Sequence, residues 1–173
     1  MLKPQDVVIL SVIVLEGAKK WTVNSLAHRV HMSPSEVHAS LVRTGASQLY
    51  NPRCKRVIST SFEEFLIHGL KYAFPPFRGT IIRGIPTAYA APPLRNKLII
   101  SDLEPLPAWP WPQGETRGYE FLPIYKSVPS ASIKDNDFYE FMALIDALTM
   151  GRARDSELAI MEIKLRLERG NDV

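Results

Sequence analysis

Eleven of the fourteen prolines in this 173-residue chain lie between Pro75 and Pro129. A proline inside a helix removes a hydrogen bond and costs about 3 kcal/mol, so no long helix survives in that stretch. Long helices are therefore confined to the two ends of the chain. The same middle stretch carries Ile81-Ile82, Leu98-Ile99-Ile100, Trp109, Trp111, Tyr119 and Phe121, more apolar mass than a linker needs. It reads as extended segments, some of them short strands, wrapped over the helices.

The end helices are marked by their punctuation. Pro4 sits at a first-turn position and Gly17 is a stop, which predicts a first helix from Pro4 to Leu15. Its apolar residues Val7, Val8, Leu10, Ile13 and Val14 cover much of its circumference and call for packing on more than one side. The run Val7 to Leu15 is too short to span a bilayer. Asp6 and Glu16 stand where a signal peptide needs a basic start and a small-residue cleavage site. A buried helix and no membrane contact are expected.

Ser61-Phe62-Glu63-Glu64 has the form of a capping box and opens a helix with Phe62, Phe65, Leu66, Leu70 and Ala73 on one face, stopped by Pro75-Pro76. Another helix runs from Asp137 to Met150, with Asp137 and Glu140 at capping-box spacing and Gly151 as its end. The last helix, Ala153 to Arg169, carries Leu158, Met161 and Leu165 on one face and Ile160, Ile163 and Leu167 on another. One core does not readily bury both faces, so this helix is the candidate for a homodimer or protein-partner contact.

Between Trp21 and Leu49 two short amphipathic segments are joined by a tight turn. Thr22 can cap the first, whose apolar stripe is Leu26, Ala27 and Val30. Ser33-Pro34-Ser35-Glu36 opens the second, with Ser33 as cap, Pro34 where its missing N–H costs nothing, and Glu36 reaching back. Met32, Val37, Leu41 and Thr44 continue the stripe, which makes the pair a helix-turn-helix. Beyond it, Asn51-Pro52 is a turn signal and Val57-Ile58 is strand-like, so a β-hairpin with Arg53, Lys55 and Arg56 at its basic tip is expected.

The pattern Thr22-x-x-Ser25-Leu26-Ala27-x-x-Val30-x-Met32-Ser33-Pro34-Ser35-Glu36-Val37-x-x-x-Leu41 resembles the helix-turn-helix of bacterial winged-helix transcriptional regulators, over roughly the first third of the chain. Such turns usually carry glycine where this chain has His31. Histidine visits positive φ more readily than most residues, so the turn is kept at some cost. The resemblance implies that the hairpin is a wing and that double-stranded DNA is the partner. With Val37 and Leu41 facing the core, a step of about 100° per residue points Ser35, Ala39 and Arg43 the other way, flanked by Glu36, His38 and Val42. The candidate DNA-binding residues are therefore Ser33, Ser35, Glu36, His38, Ala39 and Arg43 on the helix and Arg53, Lys55 and Arg56 on the wing. Lys19 and Lys20 add charge beside them. The face is sparing, with one arginine and no outward Asn or Gln, so recognition would lean on DNA shape or on a dimer.

Charge is distributed to match. Residues 1–60 hold eight Lys or Arg against three acidic residues, and residues 130–173 hold six against nine. Other chemistries find little footing. His28, His31 and His38 lack a carboxylate or thiol companion at reliable spacing, so no metal is expected. No phosphate-binding glycine loop, nucleophile elbow or His-Glu-x-x-His occurs, and Arg83-Gly84-Ile85-Pro86-Thr87 matches no phosphate cradle. Neither an enzyme nor a cofactor is expected. The single Cys54 excludes an internal disulfide and fits a reducing, cytoplasmic setting. Trp109 and Trp111, set among prolines, serve either as core plugs, which the composition favours, or as the lining of a small-molecule pocket or a stiff partner surface.

The sequence thus predicts a mainly α fold with small β. It comprises an N-terminal winged helix-turn-helix over residues 1–60, then a proline-rich irregular segment and C-terminal helices over 61–173. The expected function is a DNA-binding transcriptional regulator, most simply a repressor. The alternative is an antitoxin-like or adaptor protein whose C-terminal half binds another protein.

Overall fold

The computed structural model describes residues 1–100, 104–150 and 152–171. The chain is mixed α/β, 55% helical with small sheets. Helices α1 (Pro4–Glu16), α2 (Val23–Arg29) and α3 (Pro34–Ala46) come first, followed by the two-residue strands β1 (Tyr50–Asn51) and β2 (Arg56–Val57). Next are α4 (Ser59–Glu64), a π turn (Phe65–Gly69) and α5 (Leu70–Ala73). Strand β3 (Arg78–Pro86) leads through two 3₁₀ turns to β4 (Leu106–Pro110) and β5 (Thr116–Phe121), and α6 (Val128–Ser132), α7 (Asn136–Met150) and α8 (Ala153–Asn171) complete the chain.

Two helices are surrounded. Every residue of α1 from Asp6 to Val14 is buried, because the helix lies between α3 on one side and α7 and α8 on the other. Its apolar circumference, legible in the sequence, is used in full. Helix α7 is the second, packed on α1, α6, α8 and the 3₁₀ turn at Ala88–Ala90. A single cluster of buried side chains runs from Val7 to Leu167 and joins the N-terminal helices to the C-terminal ones. No described helix is long and apolar enough to cross a membrane.

Helix caps fall partly where the sequence puts them. Thr22 and Ser33 cap α2 and α3 in reciprocal boxes with Ser25 and Glu36. Helix α4 opens at Ser59, two residues before the expected box, and no side chain caps it from Ile58. The π turn that follows keeps Phe62, Leu66 and Leu70 on the buried side. Those residues are spaced by four, which a regular helix would let drift around its axis. At α7 the cap is Asp135, whose Oδ1 accepts from Phe138 N at 3.0 Å. Asp137 is exposed, and Glu140 pairs with Arg166 at 2.7 Å. The expected stop at Gly151 lies outside the described residues.

The proline-rich stretch closes into a three-stranded barrel. Strand β3 is antiparallel to both β4 and β5, and β4 and β5 run parallel. Three strands leave no interior for side chains where they cross, and glycine meets that demand. A Cβ on Gly84 would run into the carbonyl oxygen of Trp109, and one on Gly118 into that of Leu106. Gly84 therefore serves the closure of the barrel.

The barrel is clamped to α7 by polar contacts in a buried setting. The Asp146 carboxylate accepts, on Oδ2, the Thr87 hydroxyl at 2.6 Å and the Trp109 indole N–H at 2.6 Å. The Tyr139 hydroxyl donates to the Pro86 carbonyl at 2.6 Å, and its ring meets Trp109 edge-on at 5.7 Å. Trp109 is completely buried, the core plug that composition favours. Burial pushes the Asp146 carboxyl up to about 7, although both hydrogen bonds favour the charged form.

Candidate nucleic-acid interface

The turn between α2 and α3 has the geometry its sequence demands. His31 takes φ +54°, the left-handed conformation that glycine adopts without penalty. Its Nδ1 lies 2.9 Å from the Ser130 hydroxyl, a contact that helps offset the strain. The turn thus delivers α3 with its N-terminus beside the segment leading into α6.

At that N-terminus the candidate residues form a closed set of hydrogen bonds. Ser33 Oγ accepts from Glu36 N at 3.2 Å and donates to Glu36 Oε2 at 2.8 Å, while Ser33 N donates to the same oxygen at 2.9 Å. The other oxygen, Oε1, accepts the Tyr125 hydroxyl at 2.8 Å. The Ser33 backbone N–H and then Tyr125 hold the Glu36 carboxyl below the usual carboxylate range. Glu36 is thus fully engaged as a cap and as an anchor for the chain at Tyr125.

Further along, the buried side of α3 is Val37, Ser40 and Thr44, with Leu41 half-buried. The outward side is Ser35, His38 and Val42, the last 60% exposed, and Ala39 is half-buried at its edge. Arg43 does not point outward as the helical step predicts. Its guanidinium turns back to α1 and grips Asp6, with Nη2 at 2.6 Å from Oδ1 and Nε at 2.9 Å from Oδ2. The physical reason is Asp6 itself. The Asp6 carboxylate is only 1% exposed, and a charge that deeply buried requires a partner. Arg43 is the cation within reach on the neighbouring helix.

The hairpin carries charge where it was expected. Tyr50 pairs with Val57 and Asn51 with Arg56. The turn between them is pinned by Asn51 Oδ1 accepting from Arg53 N at 3.0 Å and by Lys55 at φ +54°. Arg53 and Lys55 are exposed, Arg56 is half-buried, and none of them makes an ion pair with a described residue. Lys19 and Lys20 are exposed beyond α1. Cys54 is a free, exposed thiol at the tip.

The structure therefore brings Ser33, Ser35, Glu36, His38 and Ala39 together at the start of α3 and Arg53, Lys55 and Arg56 on the hairpin, and it withdraws Arg43 into an ion pair. Sequence reasoning missed Tyr125 and Asp6, the two residues that engage Glu36 and Arg43. Asp6 was signalled only by being a carboxylate directly before the apolar run Val7 to Leu10. Tyr125 lies 89 residues from Glu36, and nothing local announces it. No family model, curated protein or solved structure matches the chain.

Proposed function

We propose that the chain is a sequence-specific, double-stranded-DNA-binding transcriptional regulator of the cytoplasm, acting by binding and not by catalysis. In this reading α1, α2, α3 and the β1–β2 hairpin are a winged helix-turn-helix, and operator occupancy, hence repression, is the simplest mechanism. One observation carries it. The hairpin carrying Arg53 and Lys55, exposed and in no ion pair with a described residue, packs its first strand on α3, whose outer side, Ser35, His38 and Val42, is uncovered among the described residues. A cationic hairpin supplies phosphate contacts, and the adjoining helix supplies groups that reach base edges. With Arg43 committed to Asp6, base contact falls to Ser35, His38 and the small Ala39, so shape readout and a dimer gain weight.

Fluorescence anisotropy with the chain's own upstream DNA and a scrambled duplex of equal length, each across a salt series, tests the reading. Changing Arg53 and Lys55 together to alanine should weaken both duplexes alike and lower the salt slope by about 2. Changing Ser35 and His38 to alanine should cut the preference for the upstream duplex by about tenfold while leaving the scrambled one unaffected. Absence of binding to either duplex at physiological salt overturns the proposal.

A second reading is favoured by α8. Ile163 and Leu167 are buried on it, whereas Met161 is 62% and Leu165 46% exposed. An uncovered apolar face of this kind fits a homodimer that doubles the DNA footprint, or the adaptor reading in which the C-terminal half holds another protein. Light scattering of the chain alone, against recovery of a stoichiometric partner from the native host, separates the two.

A further inference from the structure

A cleft of about 300 Å³ opens between the N-terminus of α1, the end of α5, the segment after β5 and α7. That volume is at the lower end of the ~300–1,000 Å³ range of small-molecule sites. Pro4, Phe74, Phe77, Phe121, Ile124 and Ile145 are among its walls, and among the described residues the only polar side chains lining it belong to Asp146 and Thr149. A pocket of carbon with a single carboxyl is an unusual combination, since an ionised carboxylate in apolar surroundings is costly without a partner.

The state of that carboxyl supplies the argument. Asp146 is 97% buried, being 3% exposed, and both donors it receives, Thr87 and Trp109, converge on Oδ2. Oδ1 accepts from no described residue. Nor is it among the sealed-off, unpartnered atoms, which are the hydroxyls of Ser40, Ser127 and Ser132. Asp146 is one of the residues that line the cleft, and Oδ1 is the oxygen it has left to offer there. Beside it, the Thr149 hydroxyl donates to the Asp146 carbonyl at 2.8 Å, which leaves its oxygen lone pairs free to accept.

We propose that this cleft binds a small, mostly apolar molecule carrying one amine, whose nitrogen donates to Asp146 Oδ1 while its body fills the proline- and phenylalanine-lined space. Both polar groups at the site are acceptors toward the cleft, so a donor head fits and a carboxylate or phosphate does not. An ammonium fits best, because it supplies the charge that the barrel and α7 withhold from Asp146. The cleft is formed by side chains other than those of the proposed DNA surface, and the inference stands without that reading.

Isothermal titration of the full chain at about pH 8 with 2-phenylethylamine, 2-phenylethanol and 3-phenylpropionate tests it. The amine should bind more tightly than the alcohol by about tenfold or more, and the carboxylate not at all. Asp146→Asn, which keeps the shape, should reduce amine affinity to that of the alcohol. Ala73→Phe, at an exposed position on the rim, should abolish binding of both. Equal affinity for amine and alcohol, undiminished amine binding by Asp146→Asn, or no saturable amine binding at millimolar concentrations overturns the proposal. Near-ultraviolet circular dichroism checks that each variant is folded. Should Asp146→Asn fail to fold, the amine and alcohol compared on the unaltered chain still decide.

Discussion

Asp6 on α1 and Asp146 on α7 are both buried almost completely, at 1% and 3% exposure, yet their surroundings are opposite in kind. Asp6 is neutralised. Two guanidinium nitrogens of Arg43 and the backbone N–H of Lys3, at 2.8 Å, close around it. Among the described residues Asp146 receives only neutral donors, from Thr87 and Trp109, both on one oxygen. The first arrangement ties α3, the helix proposed to contact DNA, to α1. The second ties the barrel to α7 and leaves one carboxyl oxygen, on a residue that lines a cleft, with no described donor. A buried charge matched by a charge is a fastener, whereas one held by neutral dipoles stays sensitive to pH and to any cation that reaches it.

The largest effect expected from this difference is at Arg43. Arg43→Ala leaves the Asp6 charge buried and unpaired, which should cost about 3–5 kcal/mol of folding stability. Denaturant unfolding at neutral pH measures it. Asp6→Asn together with Arg43→Met should recover much of the loss, because the desolvated charge is then gone. If Arg43→Ala leaves stability unchanged but erases DNA preference, Arg43 is a base reader after all and the fastener view of Asp6 fails.

The two neighbourhoods also differ in how far they could be read from sequence. Around Asp6 the information is local. Thr22, Ser33, Pro34 and Glu36 announce their helices by capping chemistry, the hairpin announces itself by Asn51-Pro52, and even the strained turn at His31 follows from its place between two stripes. What escaped there was the direction of one long side chain, because Arg43 reaches back to a partner 37 residues away. Around Asp146 almost nothing is local. Thr87, Trp109 and Asp146 come from a strand end, a second strand and a helix, brought together only when three strands close. The prolines of that stretch excluded long helices, but pairing across dozens of residues leaves no periodic mark. Gly84 read as a failed phosphate cradle because its purpose, close approach of β4, exists only in three dimensions.

Asp146 should reveal itself in the pH dependence of stability. Its carboxyl ionises at its ordinary 3.8 in the unfolded chain and at about 7 in the folded one. Between those values the folded state holds a proton that the unfolded state has lost, so stability falls as pH rises through the window and levels off above it. From pH 5 to pH 8 the loss is about 2–3 kcal/mol. Asp146→Asn cannot ionise and should lack this component, so the difference between the two proteins isolates it from every other titrating group. Parallel pH profiles would mean that the carboxyl is already compensated, and the contrast with Asp6 would collapse.

The smallest effect separates the two donors from the burial they oppose. Thr87→Val keeps the shape and deletes one of the hydrogen bonds on Oδ2. At low pH, where the carboxyl is protonated, the loss is that of a neutral hydrogen bond, about 1 kcal/mol. At high pH the deleted bond was made to a carboxylate, and such bonds contribute about 1.5–3 kcal/mol. The variant should therefore be destabilised more at pH 8 than at pH 5, with its folded carboxyl titrating above that of the parent chain. The sign is fixed by the chemistry, because a donor favours the charged form and its removal favours the proton. Unfolding curves for Thr87→Val at both pH values read this directly. An equal loss at each would show that the hydroxyl packs against Asp146 without tuning it, leaving the indole of Trp109 as the one dipole that holds the charge.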